Sequence, residues 1–333
     1  MKIFLTGGAG FIGSHIAESL VSAGHEVTVY DDFSSGSLEN LQPILSRIQV
    51  VTGDILDSER LADLCPSDTD VISHQAAQLE ISKSLLDPAS DLRSNAGGTL
   101  GILELARKKG IRRIIVASSA CVYGQPESVL QTEDHPLRPN WPYGASKLAA
   151  EHYCRIYQES YGLEVTQLRY GIVYGPREWY GRALTMFLAR LFQGHAPVVF
   201  GRGEAVRDLV HVSDVVDFHL RCLRESSTVN EVFNVGTGIG ISMIQLAELA
   251  CEVVTGGELR PVFEEVSEGK DSLLMPTRAR TPQELKGMVL SIEKARRLTG
   301  YSPRLALKEG IRAEFEWLKQ NPHRWAMNSR VKV

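Results

Sequence analysis

The sequence predicts an α/β fold, a doubly wound parallel sheet with a second, smaller α/β lobe, and three observations carry that prediction. Short apolar runs alternate with stretches of helical periodicity from Lys2 to Arg169. The inner runs, such as Ile114-Ile115-Val116-Ala117, are apolar at successive positions, as strands covered on both faces must be. Near Gly175 the pattern changes to shorter elements with more Gly and Pro, including Gly201-Arg202-Gly203 and Gly236-Thr237-Gly238-Ile239-Gly240.

Taken in order, Lys2–Thr6 is an apolar strand, and Gly7, Gly10 and Gly13 follow at three-residue spacing. Phe11, Ile12, Ile16, Leu20 and Val21 give Phe11–Ala23 helical spacing, and Gly24 stops it. Val27-Thr28-Val29-Tyr30 is the next strand and ends on Asp31-Asp32. Strand, glycine turn, helix, strand and acid together form the Rossmann unit that a dinucleotide needs. Small residues let the backbone meet pyrophosphate, a free helix N-terminus faces its charge, and a carboxylate receives ribose hydroxyls. Glycines alone also mark ordinary turns, so the argument rests on the whole order.

The alternation continues with a strand at Ile48–Gly53, a helix near Ser58–Leu64, a strand at Asp70–Gln75 and a helix at Asp91–Lys109. A strand at Arg113–Ser118, a helix at Tyr143–Tyr161 and a strand at Glu164–Arg169 complete it. Ligands of such sheets sit beyond the strand C-termini, which directs attention to Gly7–Gly13, Asp31, Asp54, Ala76-Ala77, Ser118-Ser119 and Tyr170. Residues 1–174, joined by a returning segment 208–236, are expected to form the dinucleotide-binding half, and 175–333 mainly the substrate lobe.

With 36 basic against 40 acidic residues in 333, the chain has no basic field for nucleic acid or an anionic membrane. Arg324, Arg330 and Lys332 make the last residues locally basic, which reads as a solvated end. Cys65, Cys121, Cys154, Cys222 and Cys251 are odd in number and scattered, with no CxxC pair. Neither a disulfide frame nor a metal site is expected, and a reducing cytoplasmic setting follows. Met1 leads straight into the first strand, so no signal peptide is expected, and no apolar run reaches membrane-spanning length.

Tyr143-Gly-Ala-Ser-Lys147 places a phenol and an ammonium at i and i+4, on one helix face after Pro142. Alone this is a common solvated pair. Ser118-Ser119, at the end of a parallel strand where such a sheet presents residues to a nicotinamide, gives it meaning. A Tyr acts as general base near neutral pH only if its pKa falls from about 10 toward 7, a shift of about 4 kcal/mol. Lys147 and a nicotinium ring are the charges able to supply that shift, and a Ser hydroxyl can orient the substrate oxygen.

Thr6-Gly-Gly-Ala-Gly-Phe-Ile-Gly-Ser14, Tyr30-Asp-Asp-Phe-Ser-Ser-Gly36, Gly53-Asp54-Ile55, His74-Gln-Ala-Ala-Gln78 and Ala117-Ser-Ser-Ala-Cys-Val-Tyr-Gly124 form a set with further motifs downstream. Those are Tyr143-Gly-Ala-Ser-Lys147, Leu168-Arg-Tyr170, Tyr174-Gly-Pro-Arg177 and Arg207-Asp-Leu-Val-His-Val-Ser-Asp214. Together, over nearly the whole chain, they resemble the extended short-chain dehydrogenase/reductase family, specifically its nucleotide-sugar epimerases and dehydratases. The resemblance implies NAD as cofactor. Gly7, Gly10, Phe11, Ile12 and Gly13 would hold its pyrophosphate; Asp31, with Asp32, Ser35 and Gly36 beside it, would take the adenosine ribose; and Asp54 and Ile55 would flank adenine. Gln75, Ala76, Ala77, Asn95, Ser118, Lys147 and Tyr170 would complete the cofactor site. Ser119, Tyr143 and Lys147 would be catalytic. Gln78, Ser119, Tyr143 and Arg207 would meet the substrate, a nucleotide sugar that the resemblance makes UDP-linked, with Arg207 on its diphosphate. An ion pair with Asp208 or Asp214 is the other reading of Arg207. The resemblance also implies a homodimer packed through the Asp91–Lys109 and Tyr143–Tyr161 helices.

Such enzymes begin alike, with proton removal from a sugar hydroxyl, usually at C4. Related dehydratases and decarboxylases add acids just after the catalytic Ser, where this chain has Ala120 and Cys121, as 4-epimerases do. NAD-dependent, redox-neutral epimerisation is therefore the expected reaction, with dehydration, decarboxylation or a non-catalytic NAD-binding sensor as alternatives. Two departures bear on the substrate. The usual Arg-Tyr-Phe-Asn run is Arg169-Tyr-Gly-Ile172 here, removing an Asn that commonly meets the diphosphate. Glu268–Leu290, containing Pro276, Arg278, Arg280 and Pro282, is longer and more basic than the family's segment; Arg280, with Arg278, supplies a second diphosphate contact or the segment is an exposed loop. In Glu178-Trp179-Tyr180-Gly181-Arg182, Arg182 reads the carboxylate of a uronate or simply packs with the aromatic pair.

Overall fold

A computed structural model of the chain describes residues 1–324 except 129, 179, 276 and 277. The expectations attached to Trp179, Pro276, Arg330 and Lys332 lie outside the described residues. The first strand, β1 (Lys2–Thr6), leads through the glycine turn into α1 (Phe11–Ser22), then β2 (Glu26–Asp31) and β3 (Gln49–Thr52). Next come α2 (Ser58–Leu64), β4 (Val71–His74), and two short helices, α3 (Ile81–Leu86) and α4 (Pro88–Leu92). After a π turn at Arg93–Gly97 the chain runs through α5 (Gly98–Lys109), β5 (Arg113–Ser119), α6 (Pro142–Tyr161) and β6 (Glu164–Tyr170). With a later strand, β10 (Val232–Val235), these strands form a seven-stranded parallel sheet in the order β10-β6-β5-β4-β1-β2-β3. The order turns back between β1 and β4, and the crevice that binds ligands in such sheets opens there.

The helix expected at Asp91–Lys109 is interrupted, and this is a correction. Asp87 caps a separate start by accepting from the Ser90 amide at 2.9 Å, Pro88 occupies the first helical position, and the wider π turn follows before α5. That turn keeps Asp91 and Asn95 both facing α6: Asn95 Nδ2 donates to Asp91 Oδ1 at 3.2 Å and to Ser146 Oγ at 3.0 Å.

Beyond the sheet, β7 (Ile172–Tyr174), α7 (Ala183–Phe192), β8 (Val198–Phe200), β9 (Val206–His211) and α8 (Val212–Arg224) precede β10. Then come β11 (Gly240–Ser242), α9 (Met243–Thr255), β12 (Val262–Glu264), β13 (Gly287–Met288), α10 (Glu293–Thr299) and α11 (Leu307–Gln320). Strands β7, β9, β11 and β13 make a small mixed sheet, and β8 pairs with β12. Of residues 208–236, β10 joins the large sheet and β9 the small one. One core lies on each face of the large sheet, around Leu5, Ile16 and Phe218 and around Phe4, Ile72 and Ile102; a third, around Leu188, Leu246 and Ile311, holds α7, α9 and α11 together. Among the described residues no helix is long and apolar enough to cross a membrane.

Candidate active site

The glycine turn is shaped for close approach. Gly7 has φ +70°, and a Cβ on it would lie 2.5 Å from the Ala76 nitrogen; one on Gly13 would lie 2.1 Å from the Gly7 carbonyl oxygen. No side chain caps α1 and its first turn holds no acid, so its first amides and the positive end of its dipole face the adjoining cavity. Asp31 fixes the turn from β2: Oδ2 accepts from the Ala9 amide and Oδ1 from the Phe33 amide, both at 2.9 Å. Each oxygen keeps a second lone pair for a hydroxyl donor. Asp32, exposed, accepts from Ser34.

A cavity of about 470 Å³ runs from this turn across the strand ends. Gly7, Gly10, Phe11, Ile12, Gly13, Asp31, Asp32, Ser35, Asp54 and Ile55 border one end. Gln75, Ala76, Ala77, Gln78, Ser118, Ser119, Cys121, Tyr143, Lys147, Tyr170 and Arg182 border the rest. The carboxylates, the glycine cradle and the uncapped helix lie in the order that a dinucleotide's ribose and pyrophosphate require, so the residues fit that cofactor.

Two elements bring the chemical groups together. Strand β5 ends at Ser119, whose Oγ accepts from the Cys121 amide at 3.2 Å. Helix α6 starts beside it because residue 144 is Gly: a Cβ there would meet the Cys121 carbonyl oxygen at 2.4 Å. Ser119 and Tyr143 are close enough to hydrogen bond, and the Arg182 charge also acts on the phenol. Burial outweighs both and holds the Tyr143 phenol above its ordinary value. Lys147, buried one turn on, donates to the Ala117 carbonyl at 2.9 Å, and burial lowers it to about 8. The protein alone therefore keeps Tyr143 a neutral phenol, and a proton-accepting role needs further positive charge in the cavity.

Several expected site residues hold the scaffold. Asn95 is bound between Asp91 and Ser146, and Gly36 packs on Ala9; neither borders the cavity. Ser118 donates to Glu151 at 2.6 Å, and the Tyr170 hydroxyl donates to Gln75 Oε1 at 3.1 Å. Gln78 is spent on Glu80 and Asp91. Arg207 pairs with neither Asp208 nor Asp214. Asp208 accepts the Thr237, Gly238 and Leu290 amides, whereas Arg207 Nη2 lies 3.7 Å from Glu284 Oε1. Arg280 Nε lies 3.3 Å from the other Glu284 oxygen, so one carboxylate joins the two arginines, outside the residues bordering the cavity. Arg278 turns away to the Gly181 carbonyl. Arg182 Nη1 donates to the Val173 carbonyl at 2.7 Å and the guanidinium lies over the Tyr180 ring, so it both packs and borders the cavity.

Sequence reasoning assigned no role to Glu151, which continues the Tyr143, Lys147 stripe at i+8, or to Glu178 and Glu314, buried carboxyls beside Arg182. The helical stripe offered a signal for the first. The last two meet only in the tertiary structure. Cys121 borders the cavity, and burial pushes its thiol up, away from reactivity. Among the described residues no group of His, Cys, Asp and Glu is placed to hold a metal ion.

Comparison with known proteins agrees with this geometry. Residues 3–236 match the model of the NAD dependent epimerase/dehydratase family. The chain is 34% identical over 325 residues to a UDP-glucose 4-epimerase of Mycolicibacterium smegmatis, covering 96% of this chain and 99% of that protein. It is 31% identical over 338 residues to a dTDP-glucose 4,6-dehydratase of Actinoplanes sp., covering 98% and 100%. The crystal structure of UDP-glucose 4-epimerase from Thermotoga maritima with UDP-glucose superposes with a TM-score of 0.87 at 34% identity, covering 97% of this chain and all of that one.

Proposed function

The chain belongs to the NAD dependent epimerase/dehydratase family, and from that premise we propose that it is an isomerase that inverts C4 of a UDP-hexose. The observation that carries the reading is the meeting of Ser119, Tyr143 and Lys147 on one cavity with the glycine turn, while Ala120 and Cys121 supply no carboxylic acid beside them. NAD, held by Gly7–Gly13 and Asp31, supplies when bound a reversible hydride acceptor and a positive ring charge. The neutral phenol of Tyr143 then gains the charge it needs to lose its proton, with the Lys147 ammonium on the same helix face. Tyr143 Oη takes the C4 hydroxyl proton as that carbon is oxidised and returns one when the opposite face is reduced. Ser119 Oγ orients the substrate oxygen. Arg207, whose charge reaches the cavity-lining Cys121, is assigned to the diphosphate in this reading, with Arg280 joined to it through Glu284. In this reading residues 1–174, with 208–236, hold the cofactor and 175–333 mainly the sugar nucleotide. Exposed Leu86, Leu92, Tyr153, Ile156 and Tyr161 on α3, α4 and α6 support dimerisation through that face, and five buried free thiols suit a reducing cytoplasm.

A panel of UDP-sugars incubated with the protein and NAD, read by mass and NMR, tests this. A product of unchanged mass with inverted C4 is expected; a product lighter by water would overturn it and direct attention to Glu178 as the missing acid. Tyr143→Phe is expected to lower turnover by at least about 100-fold while NAD stays bound, and unchanged turnover would remove the tyrosine from the mechanism.

A further inference from the structure

Two carboxyl groups at the sugar end of the cavity have no part in this chemistry. Glu178, in the loop between β7 and α7, and Glu314, on α11, are both buried, at 2% and 0% exposure. Thr185 on α7 links them, with its hydroxyl 3.3 Å from Glu314 Oε1 and within hydrogen-bonding reach of Glu178. Arg182, the residue just before α7, lies 3.7 Å from Glu178 Oε1, too far for a hydrogen bond but close enough to oppose its charge. Glu178 Oε1 and Glu314 Oε2 accept no hydrogen bond. Glu178 and Arg182 both border the cavity, and the Arg182 charge reaches Tyr143 and Cys121, so this cluster adjoins the reacting end.

Its charge count follows from burial. Burial lifts Glu178 to about 7 against the opposing Arg182 charge and Thr185 hydrogen bond. Glu314 is held well above the usual carboxylate range by burial and then by Glu178. Near neutral pH the pair shares at most one negative charge, opposite the one positive charge of Arg182. Glu178 engages Arg182 from the cavity wall, and a neutral hydroxyl entering here leaves that pairing intact. A carboxylate competes with Glu178 for Arg182 and brings further negative charge to a buried acidic pair.

We propose that Glu178, with Glu314 behind it, is a specificity-determining residue that occupies Arg182 and makes the site prefer a neutral sugar to a uronate. This rests on reading the cavity as a nucleotide-sugar site.

The test compares kcat/KM for UDP-glucose and UDP-glucuronate in wild type, Glu178→Gln and the Glu178→Gln/Glu314→Gln double variant, with NAD content measured alongside. Wild type is expected to prefer UDP-glucose, and each variant to move the ratio toward UDP-glucuronate by about tenfold or more, because Arg182 is released and the new amide offers donors. A wild type that prefers the uronate, or a ratio unmoved in variants that still turn over UDP-glucose, overturns the inference and leaves the epimerase reading intact. A wild type that turns over no UDP-sugar overturns the functional reading and this inference with it. The unsubstituted protein gives an independent arm. As Glu178 takes up its proton between about pH 8 and pH 6, UDP-glucuronate should become a tighter inhibitor of UDP-glucose turnover. The groups facing the pair are Arg182 and Thr185 from α7, Tyr174 from β7, and Tyr143 and Cys121 across the cavity, and burial holds the phenols and the thiol neutral over that range. Lys147 gains its charge near the same range and also attracts a carboxylate, so the arm is read as the difference from Glu178→Gln, in which the pH dependence should be weaker; inhibition independent of pH, or equally dependent in both proteins, overturns the inference.

Discussion

Two buried arginine–glutamate clusters flank the candidate site, and they are built to opposite standards. At the strand ends, Arg169 grips Glu151 with two parallel bonds, Nε to Oε1 at 2.9 Å and Nη2 to Oε2 at 2.7 Å. Ser118 adds a third donor, Arg169 Nη1 donates to the Tyr123 hydroxyl and the Glu133 carbonyl, and the Tyr123 hydroxyl donates to Asn234 Oδ1. Every charged atom of that cluster has a partner. At the sugar end, Arg182 stands 3.7 Å from Glu178, and two carboxylate oxygens have no donor. A satisfied buried network fixes β5, β6, β10 and α6 relative to one another, which locates Ser119, Tyr143 and Lys147. An unsatisfied one is tolerable where a ligand completes it.

The contrast can be broken by experiment. The largest effect is expected from Glu151→Ala, which leaves the Arg169 charge buried and unpaired and should lower the unfolding free energy by about 3–5 kcal/mol in urea titration. A loss below about 1 kcal/mol would mean that the cluster is not the support described. The next concerns pH. The folded-state value of Glu178, about 7, lies above the ordinary 4.5, so between those values the folded chain holds a proton that the unfolded chain releases. Stability from this group is present at the acid end and is lost as pH rises through 7, by up to about 1.4 kcal/mol per pH unit. Wild type should therefore gain on Glu178→Gln by about 1 kcal/mol per unit as pH falls from 7 toward 5; parallel curves would show that Glu178 ionises normally. Smallest is Tyr123→Phe, which removes one hydroxyl from the satisfied cluster and should cost about 1 kcal/mol without moving the preference between sugars.

These clusters also show where reading a chain stops. Lys147 and Glu151 lie on one helical stripe with Tyr143, so their shared face was legible from spacing alone, though not the Arg169 that meets Glu151 from β6. The glycine turn and Asp31 were legible because one contiguous segment contains every part of the unit. The interruption at Arg93–Gly97 was not, although Asp87 and Pro88 form an ordinary helix start, because the periodicity of Asp91–Lys109 continues through the π turn without visible interruption.

The sequence by itself determined the alternation of strands and helices, the parallel sheet, the phosphate-facing glycine turn, and the residues carried at the strand ends, since each depends on local periodicity and near-neighbour spacing. Only the tertiary structure decided which charges neutralise which. Glu284 joins Arg207 to Arg280, and Glu314 from α11 closes on Glu178 and Arg182 from the β7–α7 loop. Arg280 and Glu284, like Glu178 and Arg182, lie four residues apart, but Arg207 and Glu314 reach them from distant segments, and the energies of all these pairings are set by burial, which is a property of the packed molecule and not of any segment of it.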